Sequence, residues 1–394
     1  MAATPVAATS PSVYTGALGG PTSVPGDGIY HVIAGIPIPA GTWLVKATAV
    51  IDAGGNGTLG MGETTCQLFG DDGSFTYRMD LSTWALVGHP DGRAVANAYL
   101  TSVITVPLSW TLEFECLNQS QFVSVSDVEL SASTVSASSS PMFIGQGVQS
   151  ATIAGNSTFH TVGALSVPKG KWTIVAKANI VNDSSSAATN EVCRFKLSST
   201  DVDQLGQSLS STAGQGYAGE VVVQVAHDFT TSGVAALECK GSQSVNADHI
   251  VLIGLKAGKL TIQPIGGTAT VSGSGTPSIV SAYKTTSVNI ANGSYGTVAS
   301  LKLPAGNWLI EAEGFLKDAS PVAVSCSLTT GTLYAATYSD GAPAGKMTSI
   351  YLQTGTQLAS PGKAVVACDA AATGASISYI RITAIKAGFM SFAV

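Results

Sequence analysis

A chain of 394 residues is too long for one ordinary domain and suits two to four. Only 11% of it is charged, with a net charge of −6. Its 18 Lys and Arg residues are scattered against 24 Asp and Glu, which excludes a nucleic-acid surface, because neutralising phosphates takes clustered cations.

Ser, Thr, Gly and Ala fill the places that Lys, Glu, Asp and Arg usually hold, since about 25% charge is ordinary. A free soluble protein keeps a mixed, charged surface against self-association. A surface of hydroxyls and small residues is cheap to desolvate and suits a chain packed against neighbours in an assembly; a secreted domain with a bland polar surface is the alternative.

The first residues, MAATPVAATSPSV, have neither the basic nor the apolar region of a secretory signal. No run approaches the roughly 18–20 apolar residues of a membrane-spanning helix. We therefore expect a chain made in a cytoplasm, without membrane insertion.

In chain order, one phrase recurs three times: IPIPAGTWLVKA (36–47), LSVPKGKWTIVA (165–176) and LKLPAGNWLIEA (301–312). It fixes Pro39, Gly41 and Trp43, then Pro168, Gly170 and Trp172, then Pro304, Gly306 and Trp308. The tryptophans are 129 and 136 residues apart, and Tyr30, Phe159 and Tyr295 keep those offsets. Pro11, Pro141 and Pro277 open the segments with nearly the same spacing. Repeats of this kind set the architecture. We place three copies at 1–135 (with a short N-terminal arm), 136–264 and 265–394.

Within a copy, apolar residues alternate. TWLVKATAVI, KWTIVAKANI and NWLIEAEGFL read as strands with one buried face, and GEVVVQVAHDF and GKAVVACDA have the same character. Turn clusters punctuate them: GGNG (54–57), GDDG (70–73), HPDG (89–92) and SDGAPAG (339–345). No window has a 3.6-residue period. The predicted class is all-β, three tandem β-sandwich (jelly-roll-like) domains. Each copy ends on an alternating strand, 123–132, 249–258 and 379–388. Ser-rich 131–141 and Gly-rich 265–277 read as linkers, with strand-like KLTIQPI (259–265) before the second. The apolar end, FMSFAV, is expected to pair with a sheet or a partner.

The Pro-x-Gly-x-Trp phrase reads as a tight turn into a core strand, with the Trp filling the sandwich; exposed sugar-stacking tryptophans are the alternative. Each copy carries two cysteines at matching places: Cys66 and Cys116, Cys193 and Cys239, Cys326 and Cys368. They are possible disulfide pairs in an extracellular particle, or buried thiols in a chain that stays reduced. No CxxC or neighbouring His pattern points to zinc.

His31 and His160 share a repeat position that Gly296 fills in copy three, and they read as turn or strand-edge residues. No nucleophile elbow, HExxH or phosphate loop occurs; GTLGMGE (57–63) lacks the strand-loop-helix setting. Asp71–Asp72 reads as a turn rather than a calcium site. We expect no enzyme, no cofactor and no metal.

Residues 37–47, 168–176 and 304–312 resemble the entry to the core strand of C1q/TNF-like jelly-roll modules, with Lys169 a departure in copy two. Tandem copies with low charge are similar to virion structural proteins of tailed bacteriophages, of the minor tail and head-fibre types. That resemblance implies a non-enzymatic role on a particle, with other virion proteins as partners. It also implies a threefold setting, either a homotrimer or a pseudo-trimer of the three copies. A minor tail or tail-tip protein for assembly or host attachment leads. A capsid decoration protein and a carbohydrate-binding array on host cell-surface glycan are the rivals. Trp84 and Trp110, in copy one alone, weaken the last.

Overall fold

The computed structural model describes residues 12–18, 20–52, 62–71, 76–86, 95–119, 123–134, 142–147, 150–182, 188–197, 200–209, 217–265, 278–318, 323–331, 334–339 and 347–393. Pro11, Pro141, Pro277, Asp72, the turn clusters at 54–57 and 89–92, residues 340–345 of the cluster at 339–345, residues 57–61 of GTLGMGE, and the linker residues 135–141 and 266–277 lie outside them. So does the side chain of Trp84. All regular structure among the described residues is strand.

Each copy has eight main strands. In copy one they are Ser12–Leu18, His31–Ile38, Gly41–Asp52, Gly62–Asp71, Thr76–Leu86, Val95–Val106, Trp110–Asn118 and Val123–Thr134. Counted in this order, one sheet runs 1-8-3-6 and the other 2-7-4-5, and copies two and three repeat both orders. That is the double Greek key of a jelly roll. The chain is three tandem β-sandwich domains of this type.

Each sandwich has its own core between its two sheets. The Trp strands, Gly41–Asp52, Gly170–Asn182 and Gly306–Asp318, lie centrally in the first sheet of each. They send Trp43, Val45 and Ala47, or Trp172, Ile174 and Ala176, or Trp308, Ile310 and Ala312, inward. The expectation of one buried face needs correction: in Gly41–Asp52 residues 43 to 51 are buried in an unbroken run. The other face is covered too, because the first sheets of the three copies pack on one another.

The closing strands, Val123–Thr134, Val245–Ala257 and Ala375–Ala387, each carry a bulge opposite the Trp strand. Asp127, His249 and Tyr379 occupy it at φ of 50°, 49° and 49°. A non-glycine residue in that region signals a fixed local distortion, here repeated three times.

Two strands leave their copies. Lys259–Pro264, assigned to the second unit by its sequence position, runs parallel to Ser278–Lys284 and extends the first sheet of copy three. The end of the chain, Phe389–Ala393, runs parallel to Ser12–Gly16 at the edge of the first sheet of copy one. The apolar tail thus pairs with a sheet, and the copies close into a ring. The matching strand of copy two, Met142–Gly147, has no added neighbour among the described residues.

Candidate functional site

The repeated phrase is a structural device. Trp43 Nε1 donates to the Pro39 carbonyl at 2.9 Å, Trp172 Nε1 to Pro168 at 2.9 Å, and Trp308 Nε1 to Pro304 at 3.0 Å. The chain must turn back to offer that carbonyl, and Gly41, Gly170 and Gly306 make the turn at φ of 152°, 139° and 136°. A Cβ on Gly170 would also lie 3.0 Å from Lys256 Cε and 3.4 Å from the Trp172 nitrogen. The three rings are at most 1% exposed, so they fill the sandwiches and offer no stacking platform.

Cys66 and Cys116 lie directly opposite on neighbouring strands and are joined as a disulfide, as are Cys193 with Cys239 and Cys326 with Cys368. His31 and His160 each open a strand. His31 Nε2 lies 3.1 Å from both Asp27 carboxylate oxygens, and His160 Nε2 lies 3.1 Å from Asn156 Oδ1. A backbone N–H bond from Ile29, then the imidazole, holds the Asp27 carboxyl below its ordinary range. Both histidines tie a turn to a strand. Among the described residues no three His, Cys, Asp or Glu side chains converge as metal ligands. No helix among them is long and apolar enough to cross a membrane, which says nothing of a β-barrel.

Where the structure concentrates chemistry is the axis on which the three first sheets meet. Its apolar part joins Leu44 and Tyr99 of copy one, Val175, Val222, Val251 and Ile253 of copy two, and Tyr351 of copy three. The Tyr99 and Tyr351 rings are 4.2 Å apart. Burial, and then the charge of Glu311, pushes both phenols well above their ordinary range.

Around that cluster runs a buried ionic network. Lys46 of copy one bonds Glu311 of copy three. Lys177 of copy two meets Asp80 of copy one at 2.7 Å and Glu220 of its own copy at 3.5 Å. Arg381 lies 3.5 Å from Glu313, both in copy three. Gln224 of copy two donates its side-chain amide to Glu311 at 2.7 Å and its backbone N–H to Glu313 at 3.1 Å. Gln353 of copy three donates to Ser131 Oγ of copy one at 2.7 Å.

These carboxylates also solve an edge problem. The sixth strand of each copy ends its sheet and presents unpaired N–H groups, which invite pairing with another chain. In copy one, Tyr99 N–H donates to Glu220 at 2.8 Å and Thr101 N–H to Asp80 at 2.7 Å. In copy two Glu313 takes the N–H of Gln224. The neighbouring copy's acid thus stands in for a missing strand in two of these three bonds.

Two further acids are perturbed. Burial pushes Glu129 up to about 8, with the nearby Asp127 charge adding to it. Burial likewise raises Glu191 to about 7, against the backbone N–H bonds of Ser242 and Gln243 that oppose the shift.

None of the axial residues carries a motif, so motif reading passes over them. One signal was present: three residues after the repeat Trp stand Lys46, Val175 and Glu311, and five after it stand Thr48, Lys177 and Glu313. Opposite charges at one repeat position mark faces that meet.

No family model matches the chain, and no curated protein matches it. Among solved structures, one of the triple jelly-roll fold and turret assembly of an archaeal virus is 13% identical, covering 96% of this chain and 92% of that chain at a TM-score of 0.20. The infectious bursal disease virus Gt strain is 9% identical, covering 96% and 80% at 0.25. A tandem pair of CBM22 domains from Paenibacillus barcinonensis Xyn10C is 11% identical, covering 65% and 93% at 0.20. At such scores these likenesses carry no argument, and the jelly-roll assignment rests on the strand orders of the three copies.

Proposed function

We propose that this chain is a non-enzymatic structural protein of a virus particle, of the type tailed phages carry as a minor tail or tail-tip component for assembly or host attachment. The carrying observation is the closed ring: three jelly rolls of one chain meet on a common axis, tied by buried ion pairs and by the chain's own end. One polypeptide thereby supplies a threefold-like building block without needing three subunits to find each other. The low charge of the chain supports the reading.

The same ring favours one second reading, a capsid decoration or head-fibre protein, because a pseudo-threefold block matches a threefold position on a shell. Immunogold electron microscopy on particles, with antibody to the whole chain, separates the two. Label at the tail or its tip supports the first reading, and label over the head supports the second. Intact particles without label sink both and make glycan-binding arrays the next assay.

A further inference from the structure

We propose that Lys177 and Asp80 condense to an intramolecular amide, a covalent cross-link that locks copy one to copy two. The inference is independent of where, or whether, the chain sits on a particle.

Three observations meet here. First, Lys177 is 0% exposed in the Trp strand of copy two, flanked in its sheet by Val222 and Val251. Its Nζ has two carboxylates in reach, Asp80 Oδ2 at 2.7 Å and Glu220 Oε1 at 3.5 Å. Second, both acids are held still by backbone donors, Thr101 N–H on Asp80 and Tyr99 N–H on Glu220. A fixed amine against a fixed carboxyl is the arrangement in which an intramolecular reaction gains most from positioning. Third, of the three junctions in the ring, two are bridged by a shared strand. The junction of copies one and two has none among the described residues, and it is the one that holds this trio.

Contact supplies the chemistry. Along the reaction Nζ passes one proton across the 2.7 Å contact to the Asp80 carboxyl, which frees its lone pair. The Nζ lone pair then attacks Cγ of Asp80. One N–H proton passes to the Glu220 carboxylate and on to the departing hydroxyl, which leaves as water. One N–C bond forms, one C–O bond breaks, and Glu220 ends as it began; nothing is oxidised or reduced. The neutral amide replaces two buried charges. Tyr99 lies within the field of Asp80, and His249 within that of Lys177, Asp80, Asp248 and Arg78. Burial and then the Lys177 charge hold the His249 imidazole towards the neutral form, so it adds no competing cation.

Intact mass spectrometry of the full chain, with disulfides reduced, tests this. The expected mass is one water below that of the reduced sequence. A protease digest should yield a branched peptide joining the segments that contain Asp80 and Lys177. Lys177→Arg keeps the charge but forms no amide and should show the full mass. Glu220→Gln keeps the amine and the acid and loses the proton relay, so linkage should form at least about 100-fold more slowly. Its circular dichroism should match the parent, which separates a lost relay from a lost fold. A parent chain at full mass with no branched peptide overturns the proposal and leaves an ion pair. A water loss that maps elsewhere, or Glu220→Gln linking as fast as the parent, overturns it as well.

Discussion

Replacing Trp172 by alanine tests both the reading of the repeat and the coupling of the three copies. The ring is fully buried among Ile174, Phe195 and Leu237, and its nitrogen is the donor to the Pro168 carbonyl. Truncation empties that volume and strands the carbonyl, at a cost of about 3–5 kcal/mol. The thermal consequence depends on what melts together. Unfolding entropy is about 2.1 cal/mol/K per residue, so about 4 kcal/mol lowers the midpoint of a free unit of about 130 residues by about 15 °C. Spread over all 394 residues, the same loss gives about 5 °C. The buried pairs that cross between copies, Lys46 with Glu311 and Lys177 with Asp80, predict one transition and the smaller shift. Differential scanning calorimetry of parent and variant reads both. A shift below about 1 °C would refute the core role of the Trp, since over the whole chain it corresponds to about 0.8 kcal/mol or less. A split trace, with one third of the enthalpy displaced by about 15 °C, would refute the coupled ring.

Each disulfide closes a loop of 42–50 residues, for which chain entropy gives about 4 kcal/mol. Reductant should therefore lower the melting midpoint strongly, and an unchanged midpoint with six alkylatable thiols would contradict this. Glu129 titrates near 8 in the fold, above its ordinary 4.5, so the folded state binds its proton more tightly. Stability should then fall as pH rises from about 4.5 through 8. Glu129→Gln should flatten that fall and raise the midpoint at pH about 8.5, read by fluorimetric melts across pH. Deleting residues 389–394 uncovers the edge of Ser12–Leu18, and an open edge recruits other strands. Light scattering should show larger species than the full chain forms at equal concentration, and an unchanged mass would show the edge to be protected otherwise.

The fold was legible where local geometry forces residue identity. A turn that presents a proline carbonyl to an indole needs Gly at positive φ and Trp two residues on, so Gly41, Gly170 and Gly306 announce it in plain sequence. Cysteines on adjacent strands must hold matching positions, and they do in all three copies. The axis was illegible because a strand covered by its own neighbours alternates like one facing water. Lys46, Thr48 and Ser131 sit where a solvent face would put polar residues, and only the packing of the other copies makes them interior. The bulges at Asp127, His249 and Tyr379 were hidden for another reason: three unlike side chains share one backbone state, and although Asp and His enter it more readily than most residues, Tyr does not, so no common residue type marks the position.

The polarity of the axis explains what divergence among the copies achieves. Three identical chains meeting on a threefold axis would bring the same side chain to it three times. A lysine at the Lys46 position would then face two more lysines, and a glutamate at the Glu311 position two more glutamates. Three copies in one chain escape this limit. Copy one offers Lys46 to the Glu311 of copy three, copy two offers Lys177 to the Asp80 of copy one, and Gln224 of copy two meets Glu311 and Glu313 of copy three. Buried pairs of this kind add little net stability, since desolvation offsets most of the attraction, yet breaking one by a wrong neighbour costs about 3–5 kcal/mol. Exchanging copies one and two sets Val175, in the place of Lys46, against Glu311, and puts Thr48 in the place of Lys177. The network therefore selects one cyclic order of copies and penalises insertion of a copy from another chain, while the sandwich cores and disulfides supply the stability that each copy carries by itself.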